Sequence, residues 1–361
     1  MIENADRWAL MKKSAIRYLA VLIVVATLLS IWAMAETARS QEISDLYSNI
    51  ESLDVTLQGD AGIVDMKLDL IHEENTIASR DIKVEVPGTW VVRWPALEAE
   101  KGSYEVNLSL WKDNTVVAQK DYEFYYGGRE PIRFDVRDFR ADSRGIHLAI
   151  SASDPTVVDI YYMLIDGDRA VYITRDEVVP IAGSYSTPIV KDYAWKQILE
   201  NGHRYTGRVK IVELNHNQTR AFMNSFQAVD DAIITETYED ETGASATVLG
   251  NSRVPFKGAL KFILYQNGSV LNTTEKVTPV LLAGDDETVE ITWNKTLQPG
   301  VYQLRTVLLG QGDVVKDIEE NVIEAEPLIR ANATETAEKS SFPGVAAAVA
   351  MLIIAHIRRK K

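Results

Sequence analysis

An all-β chain of three tandem β-sandwiches is the fold this sequence predicts, on three observations. First, a pattern recurs: Trp94, Leu97, Gly102, Tyr104; then Trp195, Leu199, Gly202, Tyr205; then Trp293, Leu297, Gly300, Tyr302. The copies lie roughly 100 residues apart, the spacing of a repeated domain. Second, each Tyr opens a run of period-two alternation. Tyr104, Val106, Leu108 and Leu110 share one face while Glu105, Asn107 and Ser109 share the other, the signature of a half-buried strand. Third, the 361-residue chain contains no Cys, so no disulfide framework, thiolate chemistry or Cys-based zinc site is available. Each sandwich must stand on its hydrophobic core alone, which about 90 residues can support.

The elements follow in order. Residues 36–45 read as a polar lead-in, and the first sandwich covers 46–127, with strands expected at Leu53–Leu57, Val64–Ile71, Ile82–Val86, Thr89–Trp94, Ser103–Trp111 and Val116–Tyr125. Gly127-Gly128-Arg129-Glu130-Pro131 breaks the pattern as a linker. The second sandwich covers 131–229, with strands at Ile132–Phe139, Ile146–Ala152, Val157–Ile165, Ala170–Thr174, Tyr205–Glu213 and Ala221–Ala228. Asp166-Gly167-Asp168 reads as a hairpin turn; as a calcium loop it lacks the remaining spaced ligands. The third sandwich covers 232–325, where Asn267-Gly268 after Phe262-Ile263-Leu264-Tyr265 is a strong hairpin signal. Asp285-Asp286-Glu287 and Glu239-Asp240-Glu241 read as solvated acidic loops.

The repeated Gly is expected to supply a backbone conformation open to few residues, and the Tyr after it to fill the core edge while its hydroxyl bonds back to the chain. This arrangement resembles the corner tyrosine of immunoglobulin-like and fibronectin type III-like domains, the middle copy being nearer the fibronectin type. The resemblance covers roughly residues 46–325 and implies two packed antiparallel sheets per repeat.

Both ends are apolar. Arg7, Lys12, Lys13 and Arg17 precede an apolar run from Leu19 to Ala35, which ends in the A-x-A pair Ala33 and Ala35; this is a signal peptide, or a signal anchor if uncleaved. At the other end a polar stalk, 326–341, leads into Phe342-Pro343-Gly344, an apolar segment of about 16 residues (about 24 Å as a helix), and Arg358-Arg359-Lys360-Lys361. Residues 342–361 thus read as a C-terminal transmembrane helix with a cytoplasmic basic tail. This end resembles the tripartite sorting signals of archaeal surface proteins, in which a membrane transpeptidase recognises Pro-Gly-Phe. Here Pro343-Gly344 is followed by Val345, a departure from that motif. The resemblance implies an archaeal-type cell-surface protein whose body lies outside the membrane.

The net charge of −14 hides a split. The first 35 residues hold four cations and two anions and residues 342–361 four cations, so the body between carries 30 cations against 50 anions. Such a surface repels nucleic acid. Six of the fifteen Asn lie in N-x-[S/T] sequons, Asn107, Asn217, Asn267, Asn272, Asn294 and Asn332, where chance gives roughly two. They are the expected glycosylation sites.

The search for chemistry finds little. His72, His147, His203, His216 and His356 show no paired spacing, no G-x-S-x-G elbow occurs, and no phosphate-binding glycine loop appears. No cofactor or metal is expected. The middle repeat is richest in aromatics, and Tyr161, Tyr172 and Trp195 are the candidates for a ligand face. Both faces of Ile160–Ile165 are apolar, as expected of a strand that meets a second surface beside its own core. The reading is a non-enzymatic structural or adhesive envelope protein, with membrane, other surface proteins and glycans as partners. The alternative is a ligand-binding subunit of a membrane-associated surface complex.

Overall fold

The computed structural model describes residues 42–127, 134–184, 187–216 and 218–326. All regular structure there is β-strand apart from one short 3₁₀ turn, Gln311–Asp313. Among the described residues no helix is long and apolar enough to cross a membrane. The two expected membrane segments, with Ala33, Ala35, Pro343, Gly344, Arg358 and Arg359, lie outside the described residues, as does the stalk beyond Glu326.

The third repeat shows the plan most simply. Strands β13 (Ala232–Glu239), β14 (Gly243–Gly250) and β17 (Asp286–Thr292) form one sheet; β15 (Ala259–Gln266), β16 (Ser269–Val277), β18 (Gly300–Leu309) and β19 (Val315–Ala325) form the other, in the order β16-β15-β18-β19. Their inward faces share one core, with Phe256, Phe262, Leu264, Leu304 and Leu308 essentially inaccessible. Every pairing is antiparallel, so each strand alternates core and solvent and the two sheets stack as a sandwich.

The second repeat has the same plan. Strands β6 (Phe134–Ala141), β7 (Gly145–Ala152) and β10 (Ile189–Ala194) make the three-stranded sheet, and β8 (Thr156–Asp166), β9 (Arg169–Ile181), β11 (Arg204–Glu213) and β12 (Gln218–Gln227) the four-stranded one. Strand β10 escaped the sequence reading because Lys191 breaks its alternation; that lysine pairs with Asp176 at 3.2 Å.

In the first repeat the plan is folded from longer strands. β1 (Glu42–Ser48) is followed by β2 (Ser52–His72) and β3 (Asn75–Arg93), then β4 (Gly102–Lys112) and β5 (Thr115–Tyr126). The sequence divides β2 and β3 into four strands, but each runs on through a corner. Ser52–Leu57 pairs with Gly88–Arg93, and Gly62–His72 with Asn75–Val86, with a register shift between. At that corner Gly59 and Gly62 have φ of 120° and 70°, open to glycine at little steric cost. The near halves join β1, the far halves join β4 and β5, and the three-plus-four arrangement results. The expected lead-in is thereby corrected. β1 begins at Glu42, and a bulge between Ile43 and Asp45 disrupts the alternation that would have revealed it.

The repeated Trp has one role in all three copies. Each docks on the tight turn joining the first two strands. Trp195 donates its backbone N–H to Arg144 O (3.0 Å) and its indole N–H to Asp142 O (2.8 Å). Trp293 does the same to Thr242 O (2.9 Å) and Asp240 O (3.0 Å). Trp94 donates to Glu51 O (3.0 Å) and to Ser48 Oγ (3.2 Å). The turns are built alike: Asn49, Asp142 and Asp240 each accept backbone N–H groups two and three residues ahead. The tyrosines behave as corners, Tyr104 donating to Glu100 O at 2.6 Å and Tyr302 to Gln298 O at 2.8 Å, whereas the Tyr205 hydroxyl accepts from Glu200 N at 3.4 Å.

The glycines differ from expectation. Gly202 has φ of 79° with open space where a Cβ would stand, so conformation selects it. Gly102 has no such φ; a Cβ there would lie 2.6 Å from the His72 ring, which stacks on Tyr104. Space selects it.

Candidate functional site

The four-stranded sheet of the second repeat has two buried faces. Inward, Ile160, Tyr162, Leu164, Val209 and Ile211 enter its own core. Outward, Tyr161, Met163, Ile165, Arg208 and Lys210 lie against the three-stranded sheet of the first repeat, where Val91 joins Met163 and Ile165 in a small apolar cluster. The sheets also meet at an edge, with Trp90 of β3 paired to Arg169 of β9 and Val91 N–H donating to Asp168 O at 2.7 Å. The first two repeats therefore share one nine-stranded sheet.

At the centre is an ion cluster. Asp54, Arg208 and Lys210 are 1%, 0% and 4% exposed. Arg208 donates to Asp54 Oδ1 at 2.5 Å and to Ser52 Oγ at 2.6 Å; Lys210 Nζ donates to Asp54 Oδ2 and to Asp45 Oδ2, each at 2.6 Å. Two cations face two carboxylates, so the cluster is neutral. Burial alone would lower the Lys210 pKa; Asp54 and Asp45 outweigh it and hold the pKa above that of an ordinary lysine. Lys210 also lies 5.4 Å from the Tyr161 ring centroid and 5.9 Å from that of Tyr47, whose hydroxyl donates to Thr219 O of the second repeat at 3.2 Å. Burial is the main reason the Tyr47 pKa is raised. Arg208 Nε is buried without a partner.

Sequence reasoning found the second surface of Ile160–Ile165 but not these charges. The available signal was that Arg208 and Lys210 share one face of β11, whereas the strand's acid, Glu213, lies on the other. Beside the cluster a crevice of about 160 Å³ is lined by Arg80, Arg93, Asp168, Thr206 and Met223 among others.

The three proposed ligand-face residues do not come together. Alternation puts Tyr161 on the outward face, under the first repeat, whereas Trp195 is in the core at 1% exposure. Tyr172 packs at the edge of that same core, its hydroxyl 2.6 Å from that of Tyr193. No single surface is formed by the three. Of the sequons, Asn217 and Asn332 lie outside the described residues. Asn294 and Asn267 are exposed, Asn267 in its turn with φ of 51°. Asn107 faces outward on β4, half-buried, its amide placed to donate to Asp121 and Glu105. Asn272 pairs with Leu264 of the core and so sits on the core side of edge strand β16.

The turns and acidic loops are used structurally. Asp166-Gly167-Asp168 closes the β8–β9 hairpin with Gly167 at φ of 59°, and Asp166 Oδ1 is 2.7 Å from His203 Nε2, a hydrogen bond that raises the His203 pKa. Asp240 accepts from the Thr242 hydroxyl and from the Thr242 and Gly243 N–H groups, which lowers its pKa. Among the described residues no group of three or more His, Asp or Glu is placed to hold a metal.

The sequence matches no protein-family model, and no curated protein matches it. Solved structures similar over much of the chain are remote. Trypsin-activated α2-macroglobulin from Escherichia coli is 11% identical over 81% of this chain and 24% of that one, with a TM-score of 0.22. The tetra-tandem repeat in the extending region of a large adhesion protein is 10% identical over 79% and 74%, with a TM-score of 0.23. Red sea bream transglutaminase is 11% identical over 61% and 37%, with a TM-score of 0.24. The chain thus spans about a quarter of the macroglobulin.

Proposed function

We propose that this chain is a non-enzymatic cell-surface protein, structural or adhesive, that holds three immunoglobulin-like or fibronectin type III-like sandwiches outside the membrane. The observation that carries the reading is the join between the first two repeats. A shared sheet and a buried neutral ion cluster fix one sandwich on the next, as a spacer requires and a flexible tether does not. The acidic body, the absence of Cys, the Ala33/Ala35 leader and the Pro343–Gly344 anchor with Arg358 and Arg359 support export and a membrane hold. Asn267 and Asn294, both exposed, are the sequons most open to a glycan.

The test is the intact mass of the native, membrane-extracted protein with peptide maps of both ends and all six sequons. A chain beginning near Glu36, heavier than its sequence and still carrying 342–361, is expected. Loss of the tail near Pro343 would instead indicate sortase-type processing. A chain retaining residues 1–35 with every Asn bare would sink the envelope reading.

The crevice between the first two repeats favours a second reading, a ligand-binding subunit. Arg80 and Arg93 beside Asp168 suit a ligand bearing a carboxylate, such as an acidic glycan. Binding of uronate-containing oligosaccharides that is abolished by Arg93→Ala would support it; equal binding by the variant would remove it.

A further inference from the structure

Two Asn-Gly steps occur in the chain, Asn201-Gly202 and Asn267-Gly268, and the fold holds them differently. An asparagine followed by glycine can lose its side-chain amide without an enzyme, because glycine has no Cβ to keep its nitrogen from the asparagine Cγ. Two conditions decide whether it does. The glycine N–H must be free, and the backbone between the two residues must be able to turn.

At Asn201-Gly202 neither condition is met. The Gly202 N–H donates to Ala228 O at 2.7 Å, and the Gly202 carbonyl accepts from Gln227 Nε2 at 3.1 Å. The next residue is tied down as well. The His203 carbonyl accepts from Ala228 N–H at 2.8 Å, and its ring lies 2.7 Å from Asp166 Oδ1.

Asn267-Gly268 is the tip of the β15–β16 hairpin. Gln266 faces Ser269 in the ladder, so these two residues make the whole turn. Their φ angles are 51° and 77°, both positive, as the two-residue I′ turn requires. Both residues are exposed, and nothing lies within 4 Å of where a Gly268 Cβ would stand. Among the described residues neither the Asn267 side chain nor the Gly268 N–H has a hydrogen-bond partner. β16 is moreover an edge strand, with Val270 and Leu271 beside the turn 57% and 55% exposed. Opening a tip of this kind is among the least costly local motions of a fold.

We propose that Asn267 is a self-modifying site, at which the Gly268 nitrogen closes a succinimide on the Asn267 side chain and the sequon is lost. Hydroxide takes the Gly268 amide proton. The nitrogen's electron pair then forms a bond to Asn267 Cγ, the Cγ–Nδ2 bond breaks, and Nδ2 leaves as ammonia with a proton returned by water. Water opens the ring in one of two ways. Breaking the new N–Cγ bond leaves aspartate; breaking the original peptide bond leaves isoaspartate, in which the chain runs through Cβ and Cγ. One water is consumed and one ammonia released, with no oxidant or reductant. The product carries one more negative charge, and a carboxylate stands where an N-linked glycan needs an amide. Isoaspartate also adds a carbon to the main chain, which a two-residue turn does not accommodate. Glycosylation and ring closure are therefore exclusive fates of one amide, and the inference does not rest on the sequon being used.

The test takes the full chain in a non-denaturing detergent, produced without glycans so that every copy begins with a free Asn267. Samples are held in mildly alkaline and mildly acidic buffer and peptide-mapped over time. A gain of about 1 Da at residue 267 is expected, an amide exchanged for a carboxylate. It should appear as a mixture of aspartate and isoaspartate, and faster in alkali because the attacking nitrogen must first lose its proton. Conversion at Asn201 should be at least about fivefold slower, the factor that one net hydrogen bond supplies. In urea, where the Gly202 N–H is no longer held, the two rates should converge. Asn267→Gln should abolish the signal at 267 and leave the circular dichroism unchanged. An amide that stays intact at 267 in both buffers would overturn the proposal. So would equal rates at the two steps in the folded chain, since the fold would then not select the site. Aspartate at 267 with no isoaspartate would overturn it as well, because direct hydrolysis of the side chain passes through no ring.

Discussion

Where the first repeat meets the second, Asp54, Arg208 and Lys210 are all at most 4% exposed. Where the second meets the third, Arg144 and Asp231 pair at 2.9 Å with side chains 57% and 35% exposed. The first junction joins segments distant in sequence, with Arg208 and Asp54 154 residues apart. The second also joins distant segments, but largely through main chain. Arg253 N–H donates to Ser143 O at 2.9 Å, Leu199 N–H to Arg253 O at 3.0 Å, and Val254 enters the core of the second repeat at 1% exposure. One junction therefore adds to its shared sheet edge a few charged side chains whose removal leaves partners buried. The other depends on backbone that most substitutions leave in place.

The largest effect should come from breaking the buried cluster unevenly. Asp54→Ala leaves Arg208 and Lys210 in the interface with only the half-exposed Asp45, and should cost about 3–5 kcal/mol. In calorimetry the first two repeats should then unfold as separate transitions while the third is unmoved. Replacing the whole group, Asp54→Leu with Arg208→Met and Lys210→Met, should be far milder, because no charge is left buried. If the single variant proves as mild as the triple, the cluster does not hold the junction.

Alkali should act on the same junction. The folded-state Lys210 pKa is raised, so the stability it contributes is fully present below the unfolded value of about 10.4 and lost as pH rises through the folded value. Loosening between the first and second repeats, read as altered fluorescence of Trp90 at their shared edge, should therefore begin only above about pH 10.4. In Lys210→Met that alkaline step should shrink, leaving the part that comes from the buried Tyr47 hydroxyl, whose pKa is also raised.

The strand pattern and the three corner tyrosines were legible because alternation and the Trp–Gly–Tyr spacing are local. What joins the repeats was not. Asp54 occupies an outward position of an otherwise ordinary strand, and nothing nearby in sequence distinguishes it from the many acids that face solvent. Its value comes from Arg208, 154 residues on. The apolar outward positions Tyr161, Met163 and Ile165 did signal a second contact, but not with what. The same aromatic excess also suggested a ligand face, which alternation across β8 divides between two sides of one sheet. The turns that receive the three tryptophans were missed too, although Asn49, Asp142 and Asp240 each stand three residues before the strand they introduce.

The repeated glycines sharpen the comparison at a smaller scale. At Gly202, φ of 79° strains any residue with a Cβ, so Gly202→Ala should cost about 1 kcal/mol although nothing crowds the site. At Gly102 the backbone accepts alanine, and the obstacle is the far end of a side chain, the His72 ring on an exposed hairpin. Gly102→Ala should cost less, and pairing it with His72→Ala should remove the clash. If Gly102→Ala costs as much alone as with His72→Ala, backbone conformation is the requirement there as well.

The smallest effect belongs to the exposed pair between the second and third repeats, and reading it takes some care. Asp231 does more than pair with Arg144. Its carboxylate accepts from Asn251 Nδ2 at 3.0 Å and its carbonyl from Asn251 N–H at 2.9 Å. Asp231→Ala alone therefore reports the loss of a side-chain hydrogen bond as well as the ion pair. A double-mutant cycle with Arg144→Ala separates the two, because the Asn251 contact cancels. The coupling should be about 0.2–1 kcal/mol at low ionic strength and near zero at about 1 M salt, where screening reaches within about 3 Å. The backbone bonds of Ser143, Arg253 and Leu199 should hold the junction through all of this. A salt-resistant coupling above about 1 kcal/mol would mean that the two junctions are more alike than their burial implies.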